Sequence, residues 1–298
     1  MATQVIDMVT IIKALSVAEK EFLGKKCRWL PVKGNADQKF LMRLYKEFRN
    51  DVEAIKGLKA LASKSAKELN TFLRKNGFDI RLNPIPVVNG VQGFAVVALF
   101  DRFMSWIEKG TEGKITVGGK IYPAFRHGYN ISFHSIPKYP HTAVALETIP
   151  GDTVWITFAD KEIGGVKLLK QILELSKARK NQCNERYSRV VIPEVMLDER
   201  PDISFLKGVE ARDSKKDPWI VDQALQQVKF AMNKMGVRAK SATAIAMKFG
   251  SFAKYVRPPD LVFDKPFYLW ITTKGSSLPI VMIYSDTDSW RKADLEAL

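Results

Sequence analysis

The sequence has little cysteine and no long hydrophobic run. Only Cys27 and Cys183 occur among 298 residues, which disfavours a disulfide framework and favours a reducing compartment. No apolar stretch approaches the ~20 residues that a membrane-spanning helix needs. Residues 1–22 carry Asp7 and no cleavage pattern after their apolar part, which indicates a helix rather than a signal peptide. We therefore expect an intracellular protein, cytoplasmic or nuclear, without a transmembrane segment.

The common catalytic signatures are also missing. The sequence contains no GxSxG, no P-loop, no HExxH and no GxGxxG that opens a helix. The Gly-Gly pairs at 118–119 and 164–165 lack the lysine and hydroxyl of a phosphate-binding loop, so turns explain them better. His127, His134 and His141 recur at intervals of seven, but no carboxylate or cysteine stands at ligand spacing, which favours polar-loop or half-buried histidines. The sequence thus predicts a protein that is not an enzyme, with no catalytic residue, metal or cofactor.

Acidic residues are outnumbered by basic ones. The chain has 47 Lys and Arg against 32 Asp and Glu, a net charge of +15. Such a surface attracts nucleic acid or another polyanion without reading a sequence, and it equally suits a soluble, self-repelling protein. No zinc-finger, RRM or basic-zipper pattern accompanies the charge. The candidate polyanion-binding residues are Lys39, Arg43, Lys46, Arg49, Arg126, Arg179, Arg186 and Arg189.

Hydrophobic periodicity separates a helical N-terminal region from a later region of strands. The predicted helices cover 6–23, 37–64 and 65–77, the last ended by Asn76-Gly77, with another over 164–182 and an apolar segment at 93–110 that could be a helix. The predicted strands include 79–88, four short runs between 114 and 160, and the segments SRVVIPEVML, WIVDQALQQVKFAM, FYLWITT and PIVMIYS. Helices followed by antiparallel-looking strands predict an α+β fold. We expect a helical region over 1–80 and a mixed sheet and helix core over 81–298, in one cooperative domain.

Residues 228–267 are the most informative stretch. An alternating strand reaches Gly236, small residues follow, and a polar, basic segment then runs to Pro258-Pro259 before the apolar strand FYLWI at 267–271. The connection is roughly twenty residues long after the small-residue run, whereas a hairpin needs two to five. Small residues suit a segment that at some stage packs between strands. The pattern predicts a long, exposed loop presented as bait, and it indicates binding rather than catalysis.

Five segments between residues 95 and 288 resemble the serpins, in the order of that family. They are FMSWIEKGTEGKI (103–115), similar to the helix that crosses the main sheet; ALETIPGDTVWITFADKEIGGVKLLKQI (145–172), similar to a strand pair and helix; SRVVIPEVMLDERPDISFLKGV (188–209), similar to a strand and short helix; DQALQQVKFAMNKMGVRAKSATA (222–244), similar to the strand and hinge of the reactive loop; and FDKPFYLWITTKGSSLPIVMIYS (263–285), similar to the closing hairpin.

The resemblance implies a bait loop over about 236–260 that a protease cleaves, after which the loop inserts into the main sheet. The implied hinge residues are Gly236, Val237, Arg238, Ala239, Lys240, Ser241, Ala242 and Thr243. Insertion would turn Val237, Ala239, Ser241 and Thr243 inward. The candidate bait positions are Lys248, Gly250, Ser251, Lys254 and Arg257.

Two functions stay open at this point. One is inhibition of an intracellular serine or cysteine protease, which would be the partner of the bait loop. The other is a non-inhibitory, basic protein that binds nucleic acid or another polyanion. Arg238 and Lys240 depart from the nearly all-alanine hinge of the family, and long charged side chains lose conformational entropy when a strand orders them.

Overall fold

A computed structural model describes residues 2–24, 26–178, 187–237, 258–274 and 276–296 of the chain. The helices in these ranges are α1 (Met8–Ala18), continued by a π-helical turn (Glu19–Leu23), α2 (Ala36–Glu53), α3 (Ala66–Lys75), α4 (Gly165–Ala178) and a short 3-10 turn (Ser204–Leu206). The strands are β1 (Gln4–Asp7), β2 (Arg28–Leu30), β3 (Leu58–Ser63), β4 (Val87–Val88), β5 (Val91–Gln92), β6 (Ala95–Phe100), β7 (Met104–Ser105), β8 (Thr111–Val117), β9 (Lys120–His127), β10 (Ile131–Ser135), β11 (Thr142–Glu147), β12 (Thr153–Phe158), β13 (Arg189–Pro193), β14 (Val195–Glu199), β15 (Glu210–Arg212), β16 (Pro218–Ile220), β17 (Val228–Asn233), β18 (Gly236–Val237), β19 (Asp260–Val262), β20 (Phe267–Thr272) and β21 (Val281–Ser285).

The strands form mostly antiparallel sheets. A six-stranded sheet has the order β1-β21-β20-β12-β11-β10, and two four-stranded sheets have the orders β19-β13-β9-β8 and β14-β17-β18-β7. A three-stranded sheet (β16-β15-β2) and two strand pairs (β3-β6 and β4-β5) complete the described set. Only the β13–β19 pair in this set is parallel. The predicted α+β class is therefore confirmed.

The six-stranded sheet lies in the main core, because side chains on both faces of its inner strands are buried. Every side chain of β20, FYLWIT, is buried, and so is every side chain of β21. A run of aromatic and β-branched residues is what such a two-sided strand requires. At the edge, β1 pairs with β21 from Gln4↔Tyr284 to Asp7↔Val281. Residues near both ends of the described chain thus share one sheet and one core.

A second, smaller core lies under the β3–β6 pair. Its buried residues are Leu69, Leu73, Val97 and Leu99, and the extended segment 78–85 supplies Phe78, Ile80, Leu82 and Ile85 against them. We call α3, the segment 78–85, β3 and β6 the outer layer. Helix α1 packs against β3 and β6 and joins the outer layer to the main core.

Most predicted elements are confirmed, but several predictions are wrong. Residues 58–63 form β3 instead of a helix, and residues 95–100 form β6, because the two segments pair with each other from Leu58↔Phe100 to Ser63↔Ala95. Residues 103–115 hold β7 and the start of β8 rather than a crossing helix. His127 and His134 are buried in β9 and β10 rather than half-buried in loops.

Candidate functional site

The hinge predicted at Gly236 is a tight reversal of the chain. Strand β17 ends at Asn233, and β18 returns beside it in the register Met232↔Val237 and Asn233↔Gly236. On its other side β18 pairs with β7, so Gly236 and Val237 lie between two strands. Val237 is 3% exposed. The first two residues of the predicted hinge are thus integrated in the sheet.

The close approach of β7 restricts position 236 to glycine. A Cβ atom there would lie 2.4 Å from the carbonyl oxygen of Met104 and 2.8 Å from Cα of Ser105. The φ angle of Gly236 is 149°, a conformation that other residues seldom adopt. Only glycine allows β18 to enter the sheet at this point.

The reversal is held by the segment that follows β7. The indole of Trp106 donates to the Asn233 carbonyl oxygen at 2.8 Å, and the Gly110 amide donates to the Lys234 carbonyl oxygen at 2.8 Å. The Asn233 side chain accepts from the Met235 amide at 2.8 Å. Lys234 also forms an ion pair with Glu112. Since these bonds engage main-chain groups, they fix the path of the chain into β18.

A groove runs from β18 along one edge of β17. On the opposite edge, β17 is paired with β14 from Val228 to Met232. On the groove edge, β18 pairs only with Met232 and Asn233, and no other described strand bonds to residues 228–231. A cavity of about 60 Å³ next to Val237 is followed by one of about 200 Å³, and both are bounded by Phe78, Phe100 and Lys229.

The walls of the groove are mainly apolar. Side chains of the outer layer form one wall, α1 forms the floor and β17 forms the other wall; among them are Leu73, Phe78, Ile80, Leu82, Val97, Leu99, Ile11, Leu15 and Val228. Asp7, Gln226 and Gln227 supply the polar lining. A strand edge with free main-chain groups beside an apolar gap is suited to receive another strand.

Two buried carboxyl groups stand near the groove and the hinge. Asp7 caps α1 by accepting from the Val9 and Thr10 amides at 2.8 and 3.1 Å. Burial raises the pKa of Asp7 to about 6, against these hydrogen bonds, which lower it. Burial also raises the pKa of Glu194, which accepts from the Ala293 amide at 2.8 Å.

Solved structures with the same architecture were found by comparison of the fold. The structure of serpin48 from the insect Tenebrio molitor matches with a TM-score of 0.59 at 12% identity, over 95% of this chain and 91% of that one. The chain has a serpin-like fold. The thermophilic serpin tengpin matches with a TM-score of 0.56 at 10% identity, over 94% and 87% of the two chains. Mouse protein Z-dependent protease inhibitor matches at 0.54 and 11%, over 95% and 90%.

The serpin-like fold extends to the N-terminal third, which the sequence resemblance did not reach, because the structural match spans nearly the whole chain. No protein-family model matches the sequence. A search of curated proteins by sequence also gave no match. In the described ranges, no helix is both long and apolar enough to cross a membrane.

Most predicted bait-loop residues lie outside the described residues. These are Arg238, Ala239, Lys240, Ser241, Ala242 and Thr243 of the hinge and the bait candidates Lys248, Gly250, Ser251, Lys254 and Arg257. The described chain resumes at residue 258 and forms β19 at Asp260, parallel to β13. The two described ends of this connection are therefore β18 and β19.

Of the candidate polyanion-binding residues, Arg179 and Arg186 lie outside the described residues. The other six divide into two groups. Lys39, Arg43, Lys46 and Arg49 are exposed on α2. Arg126 and Arg189 instead contact Asp260: Arg189 through two hydrogen bonds of 2.8 and 3.1 Å, and Arg126 Nε through an ion pair of 3.3 Å. These two arginines fasten β19 to its sheet.

Reading the sequence missed the side chains that border the groove. Gln223, Gln226 and Gln227 fall in a segment predicted as strand, but residues 221–227 form none. Their side-chain oxygens instead accept hydrogen bonds from main-chain amides of other segments. Three glutamines close together in an otherwise apolar run were the available signal. Trp106 lies in the segment 103–115 that resembles the serpins and Asn233 lies just before the hinge, but neither position indicated the hydrogen bond between them.

Proposed function

We propose that this chain is an inhibitory serpin-like protein which presents residues 238–257 to a protease. Cleavage lets the segment after Val237 continue β18 as a new strand in the groove. The protease nucleophile bonds to the carbonyl carbon of the bait residue, and the cleaved peptide nitrogen leaves as a free amine. The proposed role is binding and inhibition, without a reaction of the chain's own.

The position of β18 is the observation that carries this proposal. It lies at one end of the groove, already paired with β17, while the edge of residues 228–231 is open beyond it. Extending the register Met232↔Val237 by one residue at a time places Ala239 opposite Phe230 and Ser241 opposite Val228. Phe230 and Val228 are buried, so small residues opposite them suit a strand that must fit into the gap.

The alternate positions of the same register carry the two hinge charges. Arg238 falls opposite Ala231, which is fully buried, and Lys240 falls opposite Lys229. Lys229 forms an ion pair with Asp198 at 3.4 Å, which offsets the repulsion between two lysines that face each other. Lys240 is therefore compatible with insertion, whereas burial of the Arg238 charge opposes insertion and slows it.

The bait bond of the proposed inhibitor lies among Lys248, Gly250, Ser251, Lys254 and Arg257. Three of these five residues are basic, and a basic residue at the cut suits a serine protease with an acidic specificity pocket. A trypsin-like enzyme is the target class that we propose. Cysteine proteases belong in the same panel, because the Gly250-Ser251 bond suits other specificities.

Limited proteolysis tests the proposal. The chain is incubated with trypsin and a panel of serine and cysteine proteases, the cut is mapped by mass, and the product is melted. We expect one cut within 245–257, an SDS-stable complex with at least one protease, and a higher melting temperature of the cleaved chain. A cut in that range with no complex and no stabilisation would contradict both inhibition and insertion.

A pair of hinge variants separates insertion from cleavage. Ala239→Arg puts a long charged side chain on the inward face opposite Phe230, whereas Lys240→Arg keeps a charge on the outward face. Both variants should be cut at the same bond as the parent chain. Only Ala239→Arg should lose the rise in melting temperature, because the inward face cannot solvate its charge.

Polyanion binding is the weaker alternative. The exposed basic residues of α2 favour it, but Arg126 and Arg189 are engaged with Asp260. A steep fall of DNA or RNA affinity with salt would support it. Replacing Lys39, Arg43, Lys46 and Arg49 with glutamine should then abolish that binding and leave the proteolysis results unchanged.

A further inference from the structure

The outer layer is tied to the main body by polar side chains that cross the groove. The Gln227 side-chain oxygen accepts from the amides of Asp79 and Ile80 at 3.0 and 3.3 Å. The Gln223 side-chain oxygen accepts from the Asn83 amide at 2.9 Å. These donors belong to the extended segment 78–85, whose apolar side chains line the groove.

Both ends of this connection are anchored. On the main body, the Gln227 side-chain nitrogen donates to Asp198 of β14 at 2.6 Å. In the outer layer, Asn70 of α3 bonds both main-chain groups of Leu82, at 2.8 and 3.0 Å. The bonds at Gln223 and Gln227 therefore join two parts of the molecule that each hold together by other contacts.

The register of the groove brings an entering strand to this connection. If β18 were extended in the register Val237↔Met232, residues 238–241 would lie opposite 231–228, where no other described strand is bonded to the edge of β17. The next residue, Ala242, would lie opposite Gln227. A strand longer than four added residues therefore requires Gln227 to release Asp79 and Ile80, so that the outer layer can move away from β17.

We propose that Gln223 and Gln227 form a latch which holds the groove closed and sets the rate and depth of strand insertion. The contacts that form the latch are described above, and its role in insertion rests on the proposed function. Gln223 and Gln227 are positioning residues in this mechanism, since they touch neither the bait bond nor the protease.

The latch is tested with single variants and a matched control. Gln227→Leu and Gln223→Leu remove the amide and keep similar bulk. The control is Gln38→Leu, which loses a buried amide bonded to the carbonyl oxygens of Phe205 and Lys207 but lies outside the groove and leaves the latch intact. General destabilisation therefore affects all three variants, whereas loss of the latch affects only two.

The first measurement is the rate at which each protein takes up a synthetic peptide with the sequence of residues 237–245, followed by the rise in melting temperature. We expect uptake about tenfold faster in Gln227→Leu and Gln223→Leu than in the parent chain and Gln38→Leu, because one neutral hydrogen bond changes an opening equilibrium by roughly two- to twelve-fold. Equal rates in all four proteins would overturn the latch and leave insertion itself supported.

The second measurement is amide hydrogen exchange in α3 and β6. The hydrogen bonds of Gln223 and Gln227 to the outer layer go to the segment 78–85 and not to these two elements. Faster exchange there in Gln227→Leu than in Gln38→Leu supports a latch that restrains the whole outer layer. Unchanged exchange overturns it. If no protein takes up the peptide, the proposed insertion is wrong, and hydrogen exchange alone decides whether the latch exists.

Discussion

At the scale of single residues, Gly236 fixes the start of β18. Replacing it with alanine forces a Cβ atom to within 2.4 Å of the Met104 carbonyl oxygen, which is main chain and cannot rotate away. Gly34→Ala is the matched control, because Gly34 also has a positive φ of 85° but has open space around it. We expect Gly236→Ala to lower the free energy of unfolding by about 1–3 kcal/mol more than the control, the usual cost of overpacking. Urea titration of both variants measures the difference, and equal losses would contradict the close contact.

Asp7 makes stability depend on pH. Its pKa in the folded chain is about 6, above the ordinary 3.8, so the folded state holds this proton more tightly than the unfolded state. The stability contributed by Asp7 is thus complete below about pH 4 and is lost as the pH rises to about 6.

Asp7→Asn removes the buried charge and keeps a good helix cap. We expect this variant to exceed the parent chain in free energy of unfolding by about 3 kcal/mol at pH 7, with the gap closing towards pH 4. Denaturant unfolding at both pH values measures it. A gap independent of pH would show that the carboxyl does not titrate as described.

At the scale of elements, the sequence predicts secondary structure well wherever the residues of one segment determine that structure by themselves. Helix α3 is an example, because Ser65 caps it and Gly77, with a φ of 85°, follows its end. Strands β20 and β21 are another, since their apolar runs permit only a buried strand. The segments 58–63 and 95–100 read equally well as helix, and only their pairing with each other makes them strands.

The same reasoning explains what could be predicted of the site. The glycine at 236 and the small residues after it are visible in the sequence, so a hinge could be predicted there. The groove was not, because its walls come from α1, α3, β6 and β17, which are far apart in the chain. Side chains such as Gln227 acquire a role only when those elements meet.

The outer layer should be the less stable of the two packed regions. Its core has four buried hydrophobic residues, Leu69, Leu73, Val97 and Leu99, whereas β20 lies in the main core with every side chain buried. Because local opening follows the number of buried apolar contacts, we expect amides of α3, β3 and β6 to exchange faster than those of β20. Hydrogen exchange of the parent chain measures this difference. Equal protection of the amides in α3, β3, β6 and β20 would mean that the two cores open together.

At the scale of the whole molecule, the predicted division at residue 80 marks a change in hydrophobic pattern along the sequence and does not separate two hydrophobic cores. Val5, Phe48 and Trp290 belong to one hydrophobic core. We predict a single cooperative unfolding transition, with coincident curves from far-ultraviolet circular dichroism and tryptophan fluorescence. Separate midpoints for the two signals would instead indicate two independently folding parts.

The pairing of β1 with β21 has a consequence for biosynthesis. Asp7 faces Val281, so β1 leaves the ribosome long before its partner strand has been made. At 5–20 residues per second the delay is roughly 15 to 55 s. During that interval the apolar residues Val5 and Ile6 have no neighbour in the sheet. The nascent chain therefore completes its central sheet only after residue 285 has been synthesised, and a chaperone that shields β1 until then should raise the yield of folded protein.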